Sequence, residues 1–116
     1  MKSKTWEAQI FCGLRKGYSS EFYTIEDLEK ICQEYVDEIG WCVTVTPTKF
    51  IYKKGNEPGA IIGVILYPRF PLEIEELKAR VQGLAYLLMV RLGQFRVSIK
   101  FPEDTILYEN EKIKEN

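Results

Sequence analysis

The chain of 116 residues contains no histidine, and its three cysteines, Cys12, Cys32 and Cys42, form no Cys-x-x-Cys pair. Histidine is the usual proton carrier near neutral pH, and zinc sites are built from histidine and paired cysteine, so neither kind of site is expected. The odd cysteine count at apolar or strand positions indicates reduced thiols. No Ser/His or Cys/His pattern, phosphate-binding loop or dinucleotide fingerprint occurs. These absences predict a binding protein without catalytic residues, metal or cofactor.

Long apolar runs and an excess of charge are missing as well. The longest apolar run, Leu84 to Val90, is too short to cross a membrane, and Met1 to Lys4 lead into a strand pattern without a signal peptide. The 16 basic and 17 acidic residues give a net charge of −1, whereas duplex-binding proteins usually carry a basic excess. The near-zero net charge by itself argues neither for nor against nucleic acid. We expect one cytoplasmic domain, 1–116, with no membrane, DNA or RNA partner.

Apolar periodicity predicts the first half of the fold. Alternation from Trp6 to Leu14 indicates a half-buried strand. A stripe at spacings of three and four predicts a helix that Thr24 caps and Gly40 ends. The stretch 42–71 then contains two strand patterns, and the glycines, proline and asparagine of 53–59 predict a polar turn between them.

The second half repeats the pattern of helix and strand. A helix is predicted at roughly Leu72 to Leu92, a strand at Phe95 to Phe101 and a short extra strand at 105–108, while 109–116 is expected to fray. The order β-α-β-β-α-β predicts an α+β fold. In this fold two helices cover one face of a four-stranded antiparallel sheet, which is the ferredoxin-like arrangement.

The C-terminal half of the second helix is apolar on all sides. Leu84, Leu87 and Leu88 lie at its centre. The predicted core face of the helix consists of Ile74, Leu77, Val81, Leu84 and Leu88. One sheet covers only one side of a helix, so we expect this half to pack against a second copy of the chain.

Candidate binding residues form two groups. The first faces away from the helices in the predicted sheet, where an aromatic ring and cations could bind single-stranded nucleic acid or another regulatory partner: Gln9, Phe11, Arg96, Ser98 and Lys100. The second lies at strand ends, where cations, hydroxyls and aromatic rings suit a small phosphorylated ligand with a base to stack: Arg15, Lys16, Tyr18, Thr46, Thr48, Lys49, Tyr67 and Arg69. In the second group Arg69 stands out, because Pro68 and Pro71 stiffen the segment around it. A solvated turn ahead of a helix is the alternative for that segment.

Several stretches resemble one family over nearly the whole chain. They are a first strand ending in Gly13-Leu14-Arg15, the segment CVTVTPTKFIY (42–52), the Gly-x-Glu-x-Gly stretch 55–59, AIIGVILYPRFP (60–71) and FRVSIKFPEDTILYE (95–109). The family comprises the phage and prophage anti-defence sponges first described against the Thoeris system. Its members hold cyclic ADP-ribose isomers intact, some also hold cyclic oligonucleotides of the CBASS type, and they form oligomers of dimers.

The resemblance implies that this chain sequesters a cyclic nucleotide in the cytoplasm of a host bacterium and does not degrade it. It implies a ligand pocket that includes the segment 67–71, with Arg69 on the phosphates. The residues we expect at the pocket are Arg69, Tyr67, Phe70, Thr48, Lys49, Phe50 and Arg15. A small hydrolase or lyase of signalling nucleotides is a further hypothesis. It is disfavoured, because the twin His-x-Thr motifs of one such class need histidine.

Overall fold

The computed structural model describes residues 1–69 and 71–110. The elements in chain order are β1 (Glu7–Gly13), α1 (Ile25–Ile39), β2 (Thr44–Tyr52), β3 (Gly55–Ile65), α2 (Ile74–Arg91), β4 (Arg96–Lys100) and β5 (Thr105–Glu109). The strands form one antiparallel sheet in the order β2-β3-β1-β4-β5. The first four have the ferredoxin-like arrangement and β5 extends the sheet, which confirms the predicted α+β fold and its extra strand.

Local sequence signals fix α1 at both ends. The backbone N–H of Asp27 donates to Thr24 Oγ1 at 3.2 Å, and the N–H of Thr24 donates to the Asp27 carboxylate at 2.9 Å. These bonds to Thr24 lower the pKa of Asp27. Gly40 ends the helix with a φ of 70°, a left-handed conformation that glycine adopts at little cost. Both predicted caps of this helix are confirmed.

The apolar half of α2 is largely covered by its own chain. Leu84 and Leu88 are fully buried and Leu87 is half-buried, whereas Tyr86 and Val90 remain exposed. Of the three central leucines, only Leu87 is left partly exposed. The burial of Leu84 and Leu88 confirms that they mark the core face of the helix. They belong to a core that includes both helices and one face of the sheet. The predicted oligomer itself stays a prediction, and the exposed apolar surface that supports it is smaller than the sequence pattern indicated.

The β2–β3 hairpin turns more tightly than predicted. Only Lys53 and Lys54 form the turn, and Lys54 has a positive φ of 62°. Gly55 to Gly59 are not part of it, because they pair with β2 from Tyr52 back to Thr48. The predicted turn at 53–59 thus corresponds to a two-residue turn followed by the first five residues of β3.

Residues of the sheet alternate between a face covered by the helices and an open face. Ala8, Ile10 and Cys12 are buried on the covered face, whereas Phe11 lies on the open face. Register places Ile61 of β3 and Ser98 of β4 beside Phe11. The predicted division of β1 and β4 into two faces is confirmed, and the open face is where the candidate site lies.

The C-terminal boundary of the fold lies later than predicted. Glu109 pairs with Arg96 in β5, and the N–H of Asn110 donates to the carbonyl of Phe95 at 2.8 Å. Residues 111–116, the rest of the segment expected to fray, lie outside the described residues. Within the described part of the chain, neither helix is long and apolar enough to span a membrane.

Candidate functional site

The structure separates the predicted ligand residues into two places. Arg15 and Phe50 lie at the hairpin end of the sheet, near Glu57. Tyr67 and Arg69 follow the opposite end of β3, beyond Ile65. A strand rises ~3.3 Å per residue, so the path along β3 from Glu57 to Ile65 alone spans about 26 Å. One small ligand cannot contact both groups within a single chain.

The other predicted residues are divided as well. Thr48 pairs with Gly59 and shares the open face with Phe50, whereas Lys49 points to the opposite face and is exposed. Phe70 lies outside the described residues. The predicted set is therefore not one cluster in this chain, and each of its members remains an untested ligand contact.

A cavity of about 540 Å³ lies on the open face at the hairpin end, and we call it the open-face cavity. It combines residues that the sequence placed in two separate groups. Its lining consists of Phe11, Gly13, Arg15, Gly17, Tyr18, Phe50, Tyr52, Glu57, Gln94, Phe95, Arg96 and Ser98.

Two neighbouring glycines allow aromatic rings to lie close to the backbone at this cavity. Gly13 of β1 pairs with Gly59 of β3. The ring of Phe50 covers Gly59 so closely that a Cβ there would collide with it, and a Cβ on Gly55 would lie 2.5 Å from the ring of Tyr52. The rings of the edge strand thus lie over the glycines of β3 and give this side of the cavity flat aromatic surfaces.

An ion pair stands at the rim of the cavity. Arg15 Nε lies 3.2 Å from Glu57 Oε2, and these side chains are 30% and 26% exposed. A second nitrogen of Arg15 donates to the Ser19 carbonyl at 3.0 Å, and the guanidinium lies 5.1 Å from the centre of the Phe22 ring. The hydrogen bond to Glu57 raises the pKa of Arg15. The guanidinium is therefore held in place by three different groups.

The most buried polar side chain at the cavity is Gln94, which is 7% exposed. Its Nε2 donates to the carbonyl of Arg15 at 2.7 Å and to that of Leu92 at 2.9 Å. Gln94 thereby joins the end of α2 to the loop after β1. Gln94, Tyr52 and Glu57 were not among the site residues predicted from the sequence.

Aromatic and basic groups form the opposite wall. The rings of Tyr18 and Phe95 lie 5.9 Å apart at an angle of 49°, and the Arg96 guanidinium lies 4.7 Å from the centre of the Phe95 ring. Arg96 is also 3.7 Å from the carboxylate of Glu109, with both side chains more than half exposed. This wall offers a ring for stacking and a cation close to it.

The buried thiols do not suit nucleophilic chemistry. Burial first, and Cys32 second, raise the pKa of Cys12 to about 12, and burial raises that of Cys32 to about 11. At the far end of the sheet, burial followed by a hydrogen bond with Cys42 raises the pKa of Tyr67. In the portion that the structure describes, no group of three acidic, cysteine or histidine side chains is placed to hold a metal ion.

The fold is similar to that of solved phage proteins. A phage SAM lyase in complex with S-methyl-5'-thioadenosine superposes with a TM-score of 0.79 and 21% identity, covering 95% of this chain and 93% of the other. A phage SAM lyase in the apo state gives a TM-score of 0.71 and 22% identity, covering 91% and 90%. No protein-family model and no curated protein matches the sequence. At these identities the similarity concerns the fold alone.

Proposed function

We propose that this protein binds S-adenosylmethionine in the open-face cavity and cleaves it to S-methyl-5'-thioadenosine. The observation that carries the proposal is the set of groups that face this one space of about 540 Å³. S-adenosylmethionine offers a planar purine, a sulfonium cation and an amino-acid carboxylate, and the cavity offers rings, guanidinium groups and a carboxylate. The fold shared with two phage SAM lyases, one of them holding S-methyl-5'-thioadenosine, supports the same assignment.

The aromatic rings suit both the purine and the sulfonium. Phe50 lies over Gly59 as a flat surface, and Phe11 lies beside it on the open face. A purine stacks on such rings without regard to its orientation, and a sulfonium placed near a ring face is attracted by the ring electrons. The ligand can therefore keep its cation out of water without a dedicated negative charge for it.

Two guanidinium groups at the cavity suit the amino-acid carboxylate. Arg96 lies against Phe95, and Arg15 is held by Glu57. A guanidinium that is already fixed loses little side-chain freedom when a carboxylate binds, so its charge-assisted bond is favourable. Both cations lie on the same open face as the rings.

Cleavage of a sulfonium needs no proton donor for the leaving group. When the bond between sulfur and the amino-acid chain breaks, its electron pair goes to sulfur, and a neutral thioether leaves. The carboxylate oxygen of the ligand's own amino-acid group can form a new bond to the carbon that sulfur leaves, so neither water nor a base is consumed. A protein without histidine can promote this step by orienting the ligand's amino-acid group and excluding water. The absence of histidine therefore weighs less against this lyase than against phosphodiester hydrolysis.

The test is a count of product molecules per protein molecule. The protein is incubated with a large excess of S-adenosylmethionine, and S-methyl-5'-thioadenosine is measured by chromatography against a buffer control for spontaneous breakdown. We expect many product molecules per chain. Product at the rate of the buffer control would contradict the proposal.

Sequestration of an adenine-containing signal is the second candidate. The guanidinium groups of Arg15 and Arg96 favour it, because they would pair with the phosphates of a cyclic ADP-ribose isomer. The phage origin of the structural neighbours agrees with the origin that the sequence resemblance implies. The expectation that this protein is not an enzyme belongs to this candidate. It predicts that a cyclic isomer is taken up in proportion to the protein and is recovered unchanged after heating.

A further inference from the structure

Two hydrogen-bond acceptors converge above Gly13 in the open-face cavity. The position that a Cβ on Gly13 would occupy lies 3.0 Å from Gln94 Oε1 and 3.6 Å from Glu57 Oε1. Because glycine has no Cβ, a ligand atom can come into van der Waals contact with the Gly13 backbone beside these two oxygens. Among residues 1–69 and 71–110, neither oxygen accepts a hydrogen bond. We call Gln94 Oε1 and Glu57 Oε1 the acceptor pair.

The side-chain amide of Gln94 has only one possible orientation. Its nitrogen donates to the carbonyl oxygens of Arg15 and Leu92, at 2.7 and 2.9 Å. Rotating the amide by 180° would place its oxygen against these two oxygens, and both bonds would be lost. The oxygen therefore faces Gly13, and this side chain, 7% exposed, presents a fixed acceptor to the cavity.

Glu57 presents its second acceptor in the same way. Its Oε2 accepts from Arg15 Nε at 3.2 Å, so its Oε1 is the atom left facing Gly13. The charge of the carboxylate is already matched by the guanidinium. A cationic nitrogen placed between the two acceptors would lie near that guanidinium and be repelled by it. A neutral group that donates two hydrogen bonds from one nitrogen fits the acceptor pair better.

We propose that the acceptor pair binds the exocyclic amine of adenine and makes the site specific for 6-aminopurines over 6-oxopurines. The amine of adenine carries two N–H donors in the plane of the ring, one for each acceptor. The ring itself is planar and can lie against the glycine backbone beside Phe50. This inference rests on the proposed function only in that the ligand is an adenine nucleoside.

A 6-oxopurine would meet the acceptor pair with the wrong chemistry. Its carbonyl oxygen would face Gln94 Oε1 and Glu57 Oε1, and its one N–H on that edge, at N1, could donate to at most one of them. The amide cannot turn to supply its nitrogen, for the reason given above. A ligand that covers acceptors without donating to them removes their hydrogen bonds to water, which is what allows sites of this kind to reject an isosteric ligand.

The test compares two ligands that differ only on one edge of the purine: one has an amine at position 6, and the other has a carbonyl there and a proton on N1. Titration calorimetry measures the Kd of S-methyl-5'-thioadenosine and of S-methyl-5'-thioinosine for the wild-type protein. We expect the inosine compound to bind roughly ten- to a hundredfold more weakly. Equal affinities would overturn this inference and leave the proposed function standing. If neither compound binds, both the inference and the proposed function are wrong.

The variant Gly13→Ala places a methyl group between the two acceptors. Its Cβ lies 3.0 Å from Gln94 Oε1, so the Gln94 side chain must shift by a few tenths of an ångström, whereas Glu57 Oε1, at 3.6 Å, is in ordinary contact. We expect it to weaken binding of the adenosine compound about tenfold or more and to bring its Kd close to that of the inosine compound. Full retention of the preference for adenosine would overturn the inference. If this variant does not fold, the comparison of ligands on the wild-type protein decides.

Discussion

Arg15 Nε and Glu57 Oε2 lie 3.2 Å apart although the two residues are 42 positions apart in the chain. Their ion pair ties the loop after β1 to the start of β3. It stands at the rim of the open-face cavity, next to two paired glycines, Gly13 and Gly59. In the proposed function this pair holds a guanidinium ready for the ligand and fixes one of the oxygens above Gly13.

Replacing Glu57 by glutamine tests the role of the ion pair. Glu57→Gln removes the charge that holds Arg15 and turns one oxygen of the acceptor pair into a possible donor. We expect the affinity for S-methyl-5'-thioadenosine to fall about tenfold, because the amine of the ligand loses its hydrogen bond to a charged carboxylate. Titration calorimetry measures the change.

The matched control for this variant is Glu34→Gln. Glu34 accepts from Arg91 at 2.9 Å in an exposed ion pair that lies outside the cavity lining. Ion pairs of this kind contribute little to stability, so we expect ligand affinity and Tm to stay close to wild type. Equal losses of affinity in Glu34→Gln and Glu57→Gln would remove the Arg15–Glu57 pair from the site.

Phe50→Ala tests the aromatic surface. The ring covers Gly59 and lines the cavity, so its removal should cost the stacking of one base, roughly a ten- to a hundredfold loss of affinity. Ile51→Ala is the control, since Ile51 is the next residue on β2, points to the other face and is 80% exposed. An unchanged Kd in Phe50→Ala would show that the ligand does not stack on this ring.

Arg69→Ala distinguishes the open-face cavity from the segment that the sequence resemblance implies. Arg69 is exposed and lies beyond the end of β3 opposite to Glu57. We expect this variant to bind S-methyl-5'-thioadenosine like the wild type. Arg15→Ala, which removes the group that holds the Glu57 carboxylate beside Gly13, should bind it about tenfold more weakly. A large loss in Arg69→Ala alone would place the ligand at 67–71 instead.

The buried thiols predict a loss of stability at high pH. A thiol in the unfolded chain has a pKa of 9.0, whereas burial raises the pKa of Cys12 in the folded protein to about 12. Between these values the unfolded state releases a proton that the folded state keeps. The contribution of Cys12 to stability is therefore complete below pH 9 and falls as the pH rises toward 12.

Urea unfolding at pH 7.5 and at higher pH measures this effect. The free energy of unfolding should decrease more between the two conditions in the wild type than in Cys12→Ala, which has no thiol to ionise at this position. Tyrosines and lysines also titrate in this range, but they are common to both proteins. An equal decrease in the two proteins would contradict the predicted shift at Cys12.

Much of the fold could be predicted because its signals are local. Thr24 and Asp27 form a cap through bonds between neighbours, and the alternation of Ala8 and Ile10 with Phe11 reports which face is covered. The extent to which the chain itself covers the apolar half of α2 could not be predicted in this way. It depends on how a helix, a second helix and a sheet meet, and no local pattern reports that.

Less of the site could be predicted from the sequence, because strand register brings its residues together. Gly55, Glu57 and Gly59 were interpreted as turn residues, but their alternation also places all three on one face of a strand, and that signal was present. Gln94 gave no signal, since one polar residue after a helix-ending glycine is common. The argument from missing histidine applies to hydrolysis and does not extend to the cleavage of a sulfonium.

The position of the ligand is the claim on which both the function and the recognition of adenine depend. A titration of isotope-labelled protein with S-methyl-5'-thioadenosine, followed by the backbone amide signals in NMR spectra, tests it most directly. We expect the largest shifts at Gly13, Glu57 and Gln94, and none at Arg69. Shifts concentrated at Tyr67 and Arg69, with Gly13 and Gln94 unmoved, would contradict the account.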